Sequence, residues 1–180
     1  LKLGGGRRRY ETSVEAYALY LRARALPVQR GLRGLDESIG PLQEAIAKDP
    51  SFAPAYAGLA AAHAARSGQF RFDLADEMVK MRAAAEKAIQ LDPLLAEAHD
   101  ALGIVYARDA QWEQSEKSFR RAIELDRSRS ETYHHVAMFL IWPLGRIEEA
   151  LKQLQVAEKA DPLSSRVQGG LAFVLISAGR

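Results

Sequence analysis

Four stretches of this chain end in nearly the same seven letters, and their spacing limits what it can fold into. Residues 44–50 read EAIAKDP, 87–93 KAIQLDP, 121–127 RAIELDR and 156–162 VAEKADP. Pro50 and Pro93 lie 43 residues apart, Pro93 and Arg127 34, and Arg127 and Pro162 35. A near-constant period of this length marks stacked supersecondary units. Within a unit the apolar residues recur with helical spacing. Leu102, Val105 and Tyr106 share one face of a first helix, and Phe119, Ala122 and Ile123 one face of a second. A turn at 108–111 separates them. Asp-Pro then stops the second helix, because proline lacks an N–H and disfavours helical geometry in the residue before it. Each unit is therefore expected to be two antiparallel helices that bury their apolar faces by stacking on the next pair.

Composition narrows the function. Of 180 residues, 48% are apolar and 27% charged, as in an ordinary globular protein. The net charge is +2 with both signs interleaved, which argues against a dedicated nucleic-acid binder. There is no cysteine, hence no disulfide and no thiolate metal site. No apolar run approaches the ~20 residues that span a bilayer, and no secretory signal is visible. The chain begins at Leu1 and reaches Gly179-Arg180 straight after an apolar helix. It is expected to be a cytoplasmic piece of a longer protein.

The units resemble the tetratricopeptide repeat family, whose unit is 34 residues with small and large residues at set places. The best match covers 96–127, where Leu102, Gly103 and Tyr106 stand in the first-helix slots and Ser115, Phe119 and Ala122 in the second. In the preceding unit Tyr56, Leu59 and Ala60 take the first-helix slots, and Ala88 and Pro93 close it. In the following unit Tyr133, Val136 and Ala137, then Ala150, Leu154, Ala157 and Pro162, do the same. Small residues let two helices approach, and the neighbouring large ones fill the gap. The resemblance covers the chain from about Ala16 onward. It implies an all-α, right-handed solenoid of antiparallel helix pairs, about four and a half repeats long, with a concave groove lined mainly by first helices.

The expected organisation is a flexible linker at 1–10 and a repeat domain at 11–180, with units near 12–50, 51–93, 94–127, 128–162 and 163–180. Nine helices are predicted, near 13–25, 36–48, 53–66, 73–91, 95–108, 112–125, 130–142, 147–160 and 164–177. Several features depart from the family pattern. A stretched loop is expected at 27–35, around Pro27, Gly31 and Gly34. About nine extra residues fall in 67–76 and are expected to lengthen a loop and the second helix. Met81 stands where a small residue belongs. One extra residue falls near Pro143, and the last unit has only its first helix.

Candidates for chemistry are sparse. His63 and His99 occupy packing slots and are read as partly buried rings. His134 and His135 are adjacent and point to different faces, whereas a helical metal pair needs a spacing of three or four. Glu97 and Asp100 lie one turn apart and are read as solvated acids facing the groove rather than a catalytic pair. Glu148 and Glu149 start a helix, where acids suit the positive dipole end. Gly4-Gly5-Gly6 before Arg7-Arg8-Arg9 lacks the strand and the Lys-Ser/Thr of a phosphate loop. No catalytic residue, metal or cofactor is expected.

The groove carries the functional expectation. Ala57, Ala61 and Ala64 leave space at one end. Glu97, Asp100, Ile104, Arg108, Glu131, His134, Met138, Ile141, Trp142 and Phe173 continue the line. Met138, Trp142 and Phe173 are anchors of the kind enriched in interfaces. One subset of the family clamps a terminal carboxylate with Lys, Arg and Asn, where this chain has Ala57, Ala61 and Asp100, so that role is not implied. The stretch AYALYLRARAL with EAIAKDPSFAPAYAGLA resembles repeat regions of bacterial multidomain signalling proteins, which follow winged-helix, nucleotide cyclase or kinase domains. That resemblance implies a non-catalytic regulatory module binding a peptide or partner protein. The other readings are a small-ligand sensor and self-association through the terminal helix.

Overall fold

The structure, a computed structural model, describes residues 10–67 and 73–179. Every regular element among the described residues is helical. Helix α1 spans Val14–Lys48, α2 Ala53–Ser67, α3 Leu74–Leu91, α4 Ala96–Arg108 and α5 Trp112–Leu125. Helix α6, Ser130–His135, continues as a π-helical segment, Val136–Ile141, and a 3-10 turn, Trp142–Leu144. Helix α7 covers Ile147–Ala160 and α8 Ser165–Ser177. Sequential helices pack pairwise, α2 on α3, α4 on α5 and α6 on α7, with α8 on α7. The result is an all-α solenoid.

The recurring seven letters do two local jobs. The amides of Asp49, Asp92, Asp126 and Asp161 close the last helical turn on the carbonyls of Ala45, Ala88, Ala122 and Ala157 at 2.8–3.0 Å. Each of those four alanines is fully buried. Each aspartate then leaves the helix in extended geometry, with φ between −145° and −149°. Its carboxylate accepts the amide two residues on, from Ser51, Leu94, Ser128 and Leu163. This is an Asx turn. Asp126 precedes Arg127, not proline, and adopts the same geometry. The aspartate therefore suffices to turn the chain, and the proline reinforces it.

The first unit differs from its expected two helices and loop. Helical turns run from Val14 to Lys48 without a break. A straight helix of 35 residues would hold its ends about 50 Å apart. The ends instead touch: Lys48 pairs with Glu15 at 2.9 Å, and Thr12 donates to Asp49 at 2.5 Å. Ala23, Leu42 and Ala45 share one cluster with Phe52 and Ala55. The run therefore doubles back around 27–35, which was expected to be a loop and instead keeps helical turns. Tyr10, assigned to the linker, packs edge-on against Phe52 at 5.8 Å and bonds Asp92. The rest of that linker lies outside the described residues.

The insertion at 67–76 lengthens α3 to 18 residues, against 14 in α5 and α7. Residues 68–72 lie outside the described residues. Met81 is fully buried and packs in the main core with Ala60, Ala84 and Ala85, which leave room for it. The extra residue of the fourth unit is taken up by the π-helical segment. There the Trp142 amide bonds the Ala137 carbonyl, five residues back rather than four. A π turn is the usual way a helix absorbs one additional residue. Pro143 then ends the element, and Gly145 reverses the chain at φ +72°.

Candidate functional site

The residues expected to line a groove fall mainly into two groups. The first belongs to an internal ion network. Glu97 accepts hydrogen bonds from Arg24 at 2.5 Å and Arg129 at 2.8 Å, and Arg129 also reaches Glu131 at 3.1 Å. Asp100 is 4% exposed, and its Oδ2 lies 2.8 Å from His135 Nδ1. Burial pushes both acids toward neutrality, but their pairing and hydrogen-bonding neighbours outweigh it. Arg129 and Arg24 hold Glu97 below the usual carboxylate range, and His135 and Arg129 do the same for Asp100. Glu97 in turn raises the Arg24 pKa, as its largest cause. Burial lowers that of Arg129, but Glu97, Asp100 and Glu131 together raise it.

This corrects the expectation of two solvated acids facing the groove. They tie three units together. Arg24 comes from the first, and Arg129 stands just before α6. Neither carries a sequence signal, because the partners lie 73 and 32 residues from Glu97. Ile104 and Ala57, also expected in the groove, are core residues, 1% and 0% exposed.

The histidines are packed. His63 is buried with its Nδ1 2.7 Å from Glu77, an acid supplied by the lengthened α3. His99 is half-buried and lies 3.0 Å from the Pro93 carbonyl. His134, expected in the groove, is buried at the joint with α8, where a Cβ on Gly170 would stand 3.0 Å from its ring. Burial, with His135 and Arg166 adding and Asp100 opposing, pushes its pKa down to about 3. Among the described residues no group of three or more His, Cys, Asp or Glu could hold a metal ion. No helix among them is long and apolar enough to cross a membrane.

The second group lies where α4, the continuation of α6 and α8 end together. Trp142 is half-buried and meets Phe173 edge-on at 4.9 Å. Phe173 is 44% exposed and Ile176 74%. Met138, four residues before Trp142, is half-buried and packs on the main core. Arg108 is exposed and stacks its guanidinium over Phe139 at 5.1 Å. Glu131 is exposed, but its carboxylate is engaged by Arg129. Phe139 was missed from sequence because its slot in the repeat is a packing position, filled by Val105 and Val174 in the neighbouring units. Two clefts open widely to solvent, the second of them beside Arg108. One lies between α5, α6 and α7 and includes Arg120, Tyr133 and Arg146. The other lies between α3 and α4 and includes Leu74, Val79 and Arg108.

No family model matches the chain. Superkiller protein 3 of Schizosaccharomyces pombe is 27% identical over 152 residues, which is 81% of this chain and 10% of that protein. The chain thus spans about a tenth of the length of the curated relative it matches. Among solved structures, a thermophilic TPR protein of Thermus thermophilus superposes with a TM-score of 0.68 at 24% identity, covering 91% of this chain and 82% of that one. The pilF protein of Pseudomonas aeruginosa gives 0.61 at 19%, covering 91% and 69%. YrrB, a TPR protein with an unusual peptide-binding site, gives 0.51 at 19%, covering 91% and 78%. The helix pairs, their period and these superpositions agree: the chain has the fold of the tetratricopeptide-repeat solenoids.

Proposed function

We propose that this chain is a non-catalytic interaction module that takes a peptide or a segment of a partner protein at the open end of its groove. The observation that carries this reading is the Trp142–Phe173 pair. Two aromatic rings stay partly accessible, while the acid Glu97 expected beside them in the groove is taken up by Arg24 and Arg129. Aromatic anchors of this kind dominate interface energetics. Proteins with this repeat generally mediate protein–protein interaction, and YrrB carries a peptide-binding site. A regulatory role in a larger bacterial signalling protein rests on the resemblance of the first repeats alone. The small-ligand reading has less support, because both clefts named above are open wedges rather than enclosed pockets.

A random dodecapeptide display library panned on the chain tests the proposal. Selected peptides are expected to lose binding to the Trp142→Ala/Phe173→Ala variant, with its helical circular dichroism unchanged. Failure to select any peptide, or selection indifferent to both substitutions, would overturn the reading.

A further inference from the structure

Arg108 separates two apolar patches and has no carboxylate partner among the described residues. Its guanidinium rests on Phe139, and burial alone lowers its pKa, with no anion acting on it. The other arginines near the groove are engaged: Arg24 and Arg129 by Glu97, and Arg82 by Asp109 at 2.5 Å. On one side of Arg108 the start of α3 exposes Leu74, 43% accessible, and Val79, 68% accessible, along the cleft they share. On the other side, beyond Phe139, stand Trp142 and Phe173.

From this juxtaposition we propose that the rim binds a peptide segment with an acidic side chain between two large apolar ones, the carboxylate on Arg108 and the apolar residues on Leu74/Val79 and Trp142/Phe173. The inference rests on the interaction reading and adds to it both the charge of the partner and a second contact on α3. A carboxylate suits the site because the planar guanidinium offers paired donors and is already oriented by the ring beneath it. Apolar contacts supply affinity on either side, and the charge sets register and specificity.

The same peptide selection decides it, with two further variants. Peptides selected on the unaltered chain are expected to carry Asp or Glu flanked by apolar residues. Arg108→Glu is expected to weaken the leading peptide at least about fivefold and to shift a fresh selection toward Lys and Arg. Leu74→Ser/Val79→Ser is expected to weaken the same peptide without touching the aromatic pair. Arg108, Leu74 and Val79 are exposed, so all three changes leave the fold in place, which the thermal midpoint checks. Peptides with no acidic excess, or an excess unaffected by Arg108→Glu, would overturn this inference. If binding still depends on Trp142 and Phe173, the broader reading survives that result. If no peptide is selected, both fall.

Discussion

At Gly103 the packing allows no side chain. A Cβ there would stand 2.6 Å from the Phe119 ring, which is 1% exposed and has nowhere to go. Replacing glycine by alanine inside a helix gains up to about 1 kcal/mol of propensity, whereas overpacking a core costs about 1–3 kcal/mol. Gly103→Ala is therefore expected to lower the melting temperature. Gly169→Ala, where nothing lies within 4 Å, is expected to raise it. Equal shifts for the two would refute the close crossing of α4 and α5. His134 sets an acid limit. Its pKa falls from the ordinary 6.5 to about 3, so the unfolded chain takes up this proton first as pH drops. Stability is then lost progressively below pH 6.5, with about 2 kcal/mol gone by pH 5. His99 is also lowered, mainly by burial, and acts in the same direction; Glu97 and Asp100 add their losses further down, as the carboxylates protonate. His134→Leu is expected to flatten the fall in melting temperature between pH 7 and 5, and an unchanged slope would remove His134 as the cause.

Between elements, the ion network makes a graded prediction. Arg24 has half its side chain in water, so Arg24→Ala is expected to cost under about 1 kcal/mol. Arg129 is 16% exposed and compensates two acids, so Arg129→Ala is expected to cost about 3–5 kcal/mol by leaving Asp100 and Glu97 under-neutralised. Comparable losses in urea unfolding would contradict the burial gradient. The same network shows where sequence reasoning stops. The four repeat-closing helix ends were legible because each depends on letters next to it: Asp49, Asp92, Asp126 and Asp161 end their helices through bonds to residues within four positions. The pairing of Asp100 with His135 depends on two helices meeting across 35 residues, which no periodicity encodes. The acids at 97 and 100 therefore read as solvated when they are not. The extra residue near Pro143 was countable, but the count does not say that a π turn would absorb it. Trp142 and Phe173 were legible as large aromatic residues on first helices, but their meeting at 4.9 Å was not.

At the scale of the whole molecule, a solenoid confines most packing damage to neighbouring units, and the one bridge described above that skips a unit, Arg24 to Glu97, lies away from α8. Helix α8 packs on α7 and α6. Its close approach depends on Gly170, where a Cβ would meet the His134 ring at 3.0 Å and Leu154 at 3.1 Å. Leu154 is fully buried and cannot give way. A branched side chain at this position should lever α8 away from the stack and split the Trp142–Phe173 pair, leaving α2 to α5 untouched. Hydrogen exchange read by mass spectrometry on Gly170→Val is therefore expected to show faster exchange in 165–177 and in the π-helical segment. Protection across α2, α4 and α5 should match that of the unaltered chain. Peptides selected on the unaltered chain should lose binding to this variant although Trp142 and Phe173 are both present, because the variant separates the rings rather than removing either. Uniform loss of protection along the chain would mean that α8 folds as one cooperative block with the rest, and unchanged exchange in α8 would mean that the helix does not sit where Gly170 places it.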